Sequence, residues 1–144
     1  MKIALASDHG GFKLKEFLKK YIEKQNIDYI DLGTDSEESV DYPDFAAKMA
    51  QTIKNQQADM GILVCGTGIG ISIAANRYHG IRAAILYDDD VARLAKEHNN
   101  ANVVVFGGRT MSEEDCLRRL QIFWKTKFAG GRHERRIAKI EECR

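Results

Sequence analysis

Five short apolar runs, spaced along the chain and separated by amphipathic stretches, constrain this sequence more than any other feature. Ile3 to Ala6, Tyr29 to Leu32, Met60 to Cys65, Ile81 to Leu86 and Val103 to Phe106 are largely continuous in hydrophobicity rather than alternating. That pattern belongs to strands covered on both faces. Between the first two runs, Leu14, Phe17, Leu18, Tyr21 and Ile22 line one helical face with lysines opposite, and Phe45, Met49 and Ile53 repeat the period after the second. Pro43 suits the first turn of that second helix, with Asp44 beside it at the positive end of the dipole. A third helix is expected after Gly70, strictly apolar at its start and therefore expected to lie buried at the centre. A fourth is expected over roughly Asp88 to His98, a fifth from near Ser112, whose hydroxyl can cap it, and a charged helical tail from Arg132 onward. Strand and helix alternating five times imply right-handed crossovers. The expected architecture is α/β, a doubly wound three-layer sandwich with a five-stranded, Rossmann-like parallel sheet, as a single domain over 1–144.

Composition narrows what such a sheet can serve. With 144 residues, 44% of them hydrophobic, one core suffices, and a chain of this size buries roughly 68 to 70% of its unfolded surface. Lys and Arg number 22 against 21 Asp and Glu, a net charge of +1, which excludes a surface built to neutralise nucleic-acid phosphates or anionic lipid. No apolar run approaches the roughly 20 residues of a membrane span, and no signal region follows Met1, so a soluble, cytoplasmic protein is expected. Cys65, Cys116 and Cys143 show no paired spacing and fit free thiols in a reducing compartment. The four histidines and three cysteines offer no short metal-ligand spacing, so no metal site is expected.

In doubly wound sheets, ligands gather at the carboxyl ends of the strands. Leaving those ends are Ser7-Asp8-His9-Gly10-Gly11, Asp31-Leu32-Gly33-Thr34, Cys65-Gly66-Thr67-Gly68-Ile69-Gly70, Tyr87-Asp88-Asp89 and Gly107-Gly108-Arg109. The glycines after Cys65 let backbone N–H groups face a ligand at a helix start, where they can hold an oxyanion or enolate beside a thiol. A buried cysteine on a glycine turn has the same sequence. The loop is not the dinucleotide fingerprint, because Ile71 stands where its third glycine would be, nor a nucleotide phosphate loop, because Lys-Ser/Thr is missing. Asp8 serves equally as a helix cap or as an acceptor for substrate, and His9 as a switchable donor or base. Arg132 and Arg136, one helical turn apart, can clamp a phosphate with Arg109 as a third charge; a solvated basic face balanced by Glu134, Glu141 and Glu142 reads the same.

Taken together, these residues resemble the family of type B ribose-5-phosphate isomerases and galactose-6-phosphate isomerases. The resemblance rests on Ser7-Asp8-His9-Gly10-Gly11-Phe12, Asp41-Tyr42-Pro43, the run from Cys65 through Gly70 to Asn76, Glu97-His98-Asn99, Phe106-Gly107-Gly108-Arg109, and Gly130-Gly131-Arg132-His133 with Arg136. It implies aldose to ketose isomerisation of ribose 5-phosphate and ribulose 5-phosphate through an enediolate, in the non-oxidative pentose phosphate pathway, without metal or organic cofactor. By the same resemblance Cys65 is the base between C1 and C2, Thr67 assists proton movement between the oxygens, and the backbone from Gly66 through Gly68 and Ile69 to Gly70 stabilises the enediolate. His98 is implied as the acid that opens the sugar ring, with Asp8 as its counterpart. Asp8, His9, Tyr42 and Asn99 are implied substrate contacts; His9, Arg109, Arg132 and Arg136 are implied phosphate contacts. Some relatives use a Glu base with Ser in place of the cysteine; here Cys65 is present and Ala74 and Ala75 supply no carboxylate, which places the chain with the cysteine type.

One spacing argues for a second subunit. A fourth helix starting near Asp88 at the carboxyl edge carries His98 roughly 15 Å away at 1.5 Å per residue, far from Cys65 of the same chain. A homodimer, or a dimer of dimers, is expected, with sites combining Cys65 of one chain with His98 and the tail from about 132 to 144 of another. The family's dimeric or tetrameric assembly agrees. Competing readings are an isomerase of a hexose 6-phosphate, of allose or galactose type, and a non-catalytic sugar-phosphate sensor.

Overall fold

All five apolar runs form strands in the computed structural model, which describes residues 1–143. Along the chain run β1 (Lys2–Ser7), a 3-10 turn (His9–Gly11), α1 (Phe12–Lys24), β2 (Asp28–Asp31), α2 (Tyr42–Lys54), β3 (Met60–Cys65), α3 (Ile69–Ala75), β4 (Ala83–Ile85), α4 (Asp89–Glu97), β5 (Val103–Gly107), α5 (Glu113–Lys125) and α6 (Arg132–Glu142). Ser112 Oγ, the expected cap, accepts from Asp115 N at 3.1 Å to open α5, and Asp88 Oδ1 accepts from Val91 N at 2.7 Å to open α4. β4 is shorter than the apolar run Ile81 to Leu86. Ile81 N closes a turn onto Tyr78 O, and Arg82 N bonds the Asn102 side chain instead of a neighbouring strand.

The sheet order is β2-β1-β3-β5-β4, with every pair parallel. Register sets Leu5 beside Ile62 and Ile62 beside Val104. Alternate residues of the inner strands therefore feed two cores. Ile3, Leu5, Ile62, Val64, Val104 and Phe106 meet Leu18, Ala92 and Leu120 of α1, α4 and α5, while Ala4, Ala6, Leu63, Cys65 and Val105 meet Phe45, Met49 and Ile71 of α2 and α3. Each fully buried Leu, Ile or Val side chain contributes about 1.5–3 kcal/mol relative to exposure.

α3 departs from its expected central burial. Ile71, Ser72 and Ala75 are buried, but Ile69 and Ile73 are 56% and 62% exposed. The helix is two turns long and packs on α2 and the sheet from one side only, so its opposite face stays apolar and open. α6 likewise buries none of its residues and leaves Ile140 exposed. Among the described residues no helix is long and apolar enough to cross a membrane.

At the end of β2, Lys15 is wholly buried and donates to both carboxylate oxygens of Asp31 at 2.8 Å and to Glu16 at 3.1 Å. Lys19 adds a bond to Asp31 at 2.9 Å, and Gly33 N donates to the same carboxylate. Burial raises the Asp31 carboxyl, but the Lys15 and Lys19 hydrogen bonds outweigh it and hold the group below its usual range. This network ties α1 to the loop that leaves β2.

Candidate active site

The chain steps from β1 outward to β2, returns to β3, then crosses on the other side to the edge strand β4 and comes back to β5 between β3 and β4. The crevice of such a sheet opens where that direction reverses, between the carboxyl ends of β1 and β3. Asp8 to Gly11 leave one strand there and Cys65 to Gly70 leave the other.

Asp8 is buried, and its Oδ1 accepts from Gly11 N at 3.2 Å, capping the 3-10 turn. The cap uses one carboxylate oxygen; the other makes no protein hydrogen bond among the described residues. His9 Nδ1 accepts from Val40 N at 3.2 Å, which makes Nε2 the protonated nitrogen and a free donor. The same bond anchors the loop between β2 and α2.

Cys65 ends β3 at 4% exposure, and its Sγ accepts from Gly68 N at 3.2 Å. The turn demands glycine: Gly68 has φ +82°, and a Cβ there would lie 3.1 Å from Phe106 O. Thr67 is exposed, with Oγ1 accepting from Ile69 N at 3.1 Å, and Ser72 Oγ donates to Ile69 O at 2.8 Å. The open N-terminal turn of α3 thus follows directly on the sulfur. Tyr42 lies over this helix start, since a Cβ on Gly70 would fall 2.6 Å from its ring carbon Cζ. Gly108 N donates to Cys65 O and Arg109 N to Gly66 O, both at 2.8 Å. These bonds hold the Arg109 guanidinium against Gly10 and Gly66, within 3.4 Å of where either Cβ would stand. One chain therefore assembles Asp8, His9, Tyr42, Cys65, Gly66, Thr67, Gly68, Ile69, Gly70 and Arg109: a thiol, backbone donors, a carboxylate, an imidazole and a cation around one crevice.

The other sequence-predicted residues lie elsewhere. α4 begins at the carboxyl edge and ends at His98, and Asn99 O accepts from Arg82 Nε at 3.2 Å, at the amino edge where β4 begins. The length of β5, at about 3.3 Å per residue, keeps His98 and Asn99 apart from the Cys65 loop. Beside His98, Ala129 N donates to Glu97 O at 2.9 Å and brings in the start of α6. His133 stacks on His98 with ring centroids 4.3 Å apart and an interplanar angle of 14°. Arg132 and Arg136 are exposed and make no ion pair among the described residues; Glu141, expected to balance them, pairs with Arg82 instead. Burial, then the charges of His98, Arg132 and Arg136, push His133 below its ordinary range.

His133 was not singled out by the sequence, which paired Arg132 with Arg136 by helical spacing. The available signal was a histidine just after Gly130-Gly131, two positions with φ +68° and +59° that turn the chain sharply into α6. Among the described residues no group of three or more His, Cys, Asp and Glu stands placed to hold a metal ion.

Comparison with known proteins adds a family. The model for "Ribose/Galactose Isomerase" matches residues 3–140. The chain is similar to the ribose-5-phosphate isomerase B of Escherichia coli, at 40% identity over 139 residues, covering 96% of this chain and 93% of that protein. It is also similar to the crystal structure of a Thermotoga maritima ribose 5-phosphate isomerase, with TM-score 0.97 and 56% identity, covering 99% and 98% of the two chains. A third similar structure, the Mycoplasma genitalium ribose-5-phosphate isomerase B with bound ribulose 5-phosphate, gives TM-score 0.92 and 39% identity over 98% and 94% of the chains.

Proposed function

The chain belongs to the ribose/galactose isomerase family, and from that premise we propose that it interconverts D-ribose 5-phosphate and D-ribulose 5-phosphate in the non-oxidative pentose phosphate pathway of the cytoplasm. The observation that carries this reading is the Cys65 sulfur held by Gly68 N–H in the crevice that also contains Asp8, His9 and Arg109. The ribulose 5-phosphate bound in the Mycoplasma genitalium relative supports the pentose over a hexose.

The reaction moves one proton between adjacent carbons and one between adjacent oxygens. Ring opening comes first: Asp8 takes the proton from the O1 hydroxyl while His98 donates one to the ring oxygen, releasing the open-chain aldehyde. The Cys65 thiolate then removes the C2 proton, and the electron pair moves into an enediolate whose negative oxygen meets the N–H groups of the loop from Gly66 to Gly70. Thr67 passes the proton between O1 and O2. Cys65 returns its proton to C1, giving the ketone at C2 and a primary alcohol at C1. His9 Nε2–H, Arg109, Arg132 and Arg136 hold the phosphate, and Tyr42 and Asn99 hold sugar hydroxyls. Binding energy from the phosphate keeps the open chain in reactive geometry. The scheme uses no metal ion or organic cofactor.

His98, Asn99, Arg132 and Arg136 stand at the opposite end of the sheet from Cys65, so this scheme needs them from a second copy. We place the exposed Ile69 and Ile73 of α3, beside the Cys65 loop, in that interface. The single domain over 1–144 then uses its tail from about 132 as an arm across the partner, in a homodimer or a pair of homodimers. The test is ribulose 5-phosphate formation by the purified, chelator-treated protein, with allose 6-phosphate and Cys65→Ala alongside.

A further inference from the structure

His133 packs flat on His98, 4.3 Å between centroids. Stacking covers a face of His98, while its side chain stays 41% exposed. A surface imidazole at the end of a helix has two free side-chain torsions, and proton delivery to a ring oxygen needs one orientation. Within the described residues, the other group near the His98 edge is Glu97, with Oε1 3.9 Å from Nε2, too long to fix the ring by a hydrogen bond. The orienting contact is therefore the stack.

We infer that His133 is a positioning residue: it holds the plane of the His98 imidazole for proton transfer to the sugar ring oxygen. This rests on the reading of His98 as the ring-opening acid. The surroundings fit a flat, uncharged ring. The charged or titratable groups facing His133 are His98 and Glu97 from α4 and Arg132 and Arg136 from its own helix, and burial with the three basic neighbours disfavours a proton on it. Because α6 starts at the Gly130-Gly131 turn and is tied by Ala129 N to Glu97 O, the stack and the two arginines are set by the same short segment. Phosphate seating and ring opening would then be aligned by one structural element.

The chemistry supplies a test that separates the two halves of the reaction. Ribulose 5-phosphate cannot close a furanose ring, because its 5-hydroxyl is esterified, so exchange of its C1 hydrogen with solvent deuterium needs the Cys65 side but no ring opening. His133→Ala and His133→Phe are compared with wild type for conversion of ribose 5-phosphate and for deuterium entry into ribulose 5-phosphate. The expected result for His133→Ala is a kcat lower by about tenfold or more with KM within about twofold, exchange retained, and a melting temperature close to wild type. His133→Phe, a flat ring without titration or hydrogen bonds, should restore most of the turnover. Equal rises in KM for both variants would mark His133 as a phosphate ligand and overturn the inference, as would equal loss of exchange and turnover. A wild-type protein that neither converts nor exchanges would instead overturn the reading beneath it, and this inference with it.

Discussion

The main-chain N–H of Gly68 donates to Sγ of Cys65 across 3.2 Å, so the turn that starts α3 also holds the sulfur that ends β3. A substitution at Gly68 therefore reaches the chemistry without touching a side chain of the site. Gly68→Ala must place a Cβ at φ +82° and 3.1 Å from Phe106 O. It should cost about 1–2 kcal/mol in denaturant unfolding and lower kcat by roughly ten- to a hundredfold through the displaced donors.

Separation of Cys65 from His98 along the sheet predicts complementation between inactive chains. Cys65→Ala and His98→Ala proteins, each inactive alone, should regain about a quarter of the wild-type rate after subunit exchange at equal concentrations. Random pairing makes half the dimers mixed, and each mixed dimer keeps one intact site. Labelled subunits report the exchange independently. Full exchange without recovery would mean that each site is built within one chain.

The three thiols should react in a fixed order. Cys143 is exposed and Cys116 is buried, and burial pushes the Cys116 thiol up to about 12. At pH 8, iodoacetamide followed by peptide mass mapping should label Cys143 first and leave Cys116 unmodified until the protein unfolds. Modification of Cys65 should track loss of activity and be slowed by sugar phosphate.

Acid stability should depend on Asp31. Its carboxyl is held below the usual range in the fold, so its contribution is complete above the unfolded carboxylate range and is lost as pH falls through the lower folded value. Asp31→Asn leaves the buried Lys15 with Glu16 as its remaining partner and should lose about 2 kcal/mol at pH 7. The two proteins should converge only as pH falls through the lowered range of the folded Asp31 carboxyl, in a denaturant series across pH.

Much of this was written in the local pattern. The apolar run Met60 to Cys65 is β3 residue for residue, because a strand buried on both faces leaves no polar interruption to blur its ends. Ser112 and Pro43 marked helix starts because first-turn chemistry is local. Asp8, first ambiguous between cap and ligand, caps with one oxygen and leaves the other unused by the protein. The exposed face of α3 was not legible: Ile69 and Ile73 look like core residues, and only the packing of α2 and the sheet shows that one face of a short helix has no cover in this chain. Nor was the His98–His133 stack, since 35 residues separate the partners and their approach depends on where Ala129 docks on α4.

The central claim is that Cys65 is the base of a ribose 5-phosphate isomerase. The most direct measurement is ribulose 5-phosphate formation from ribose 5-phosphate by chelator-treated wild type and Cys65→Ala, with binding of the sugar phosphate measured on both. The account predicts turnover by the wild type that survives the chelator, and a loss of about a thousandfold or more in Cys65→Ala with binding retained. Turnover undiminished in Cys65→Ala, or binding of ribose 5-phosphate by the wild type without any conversion, would contradict it.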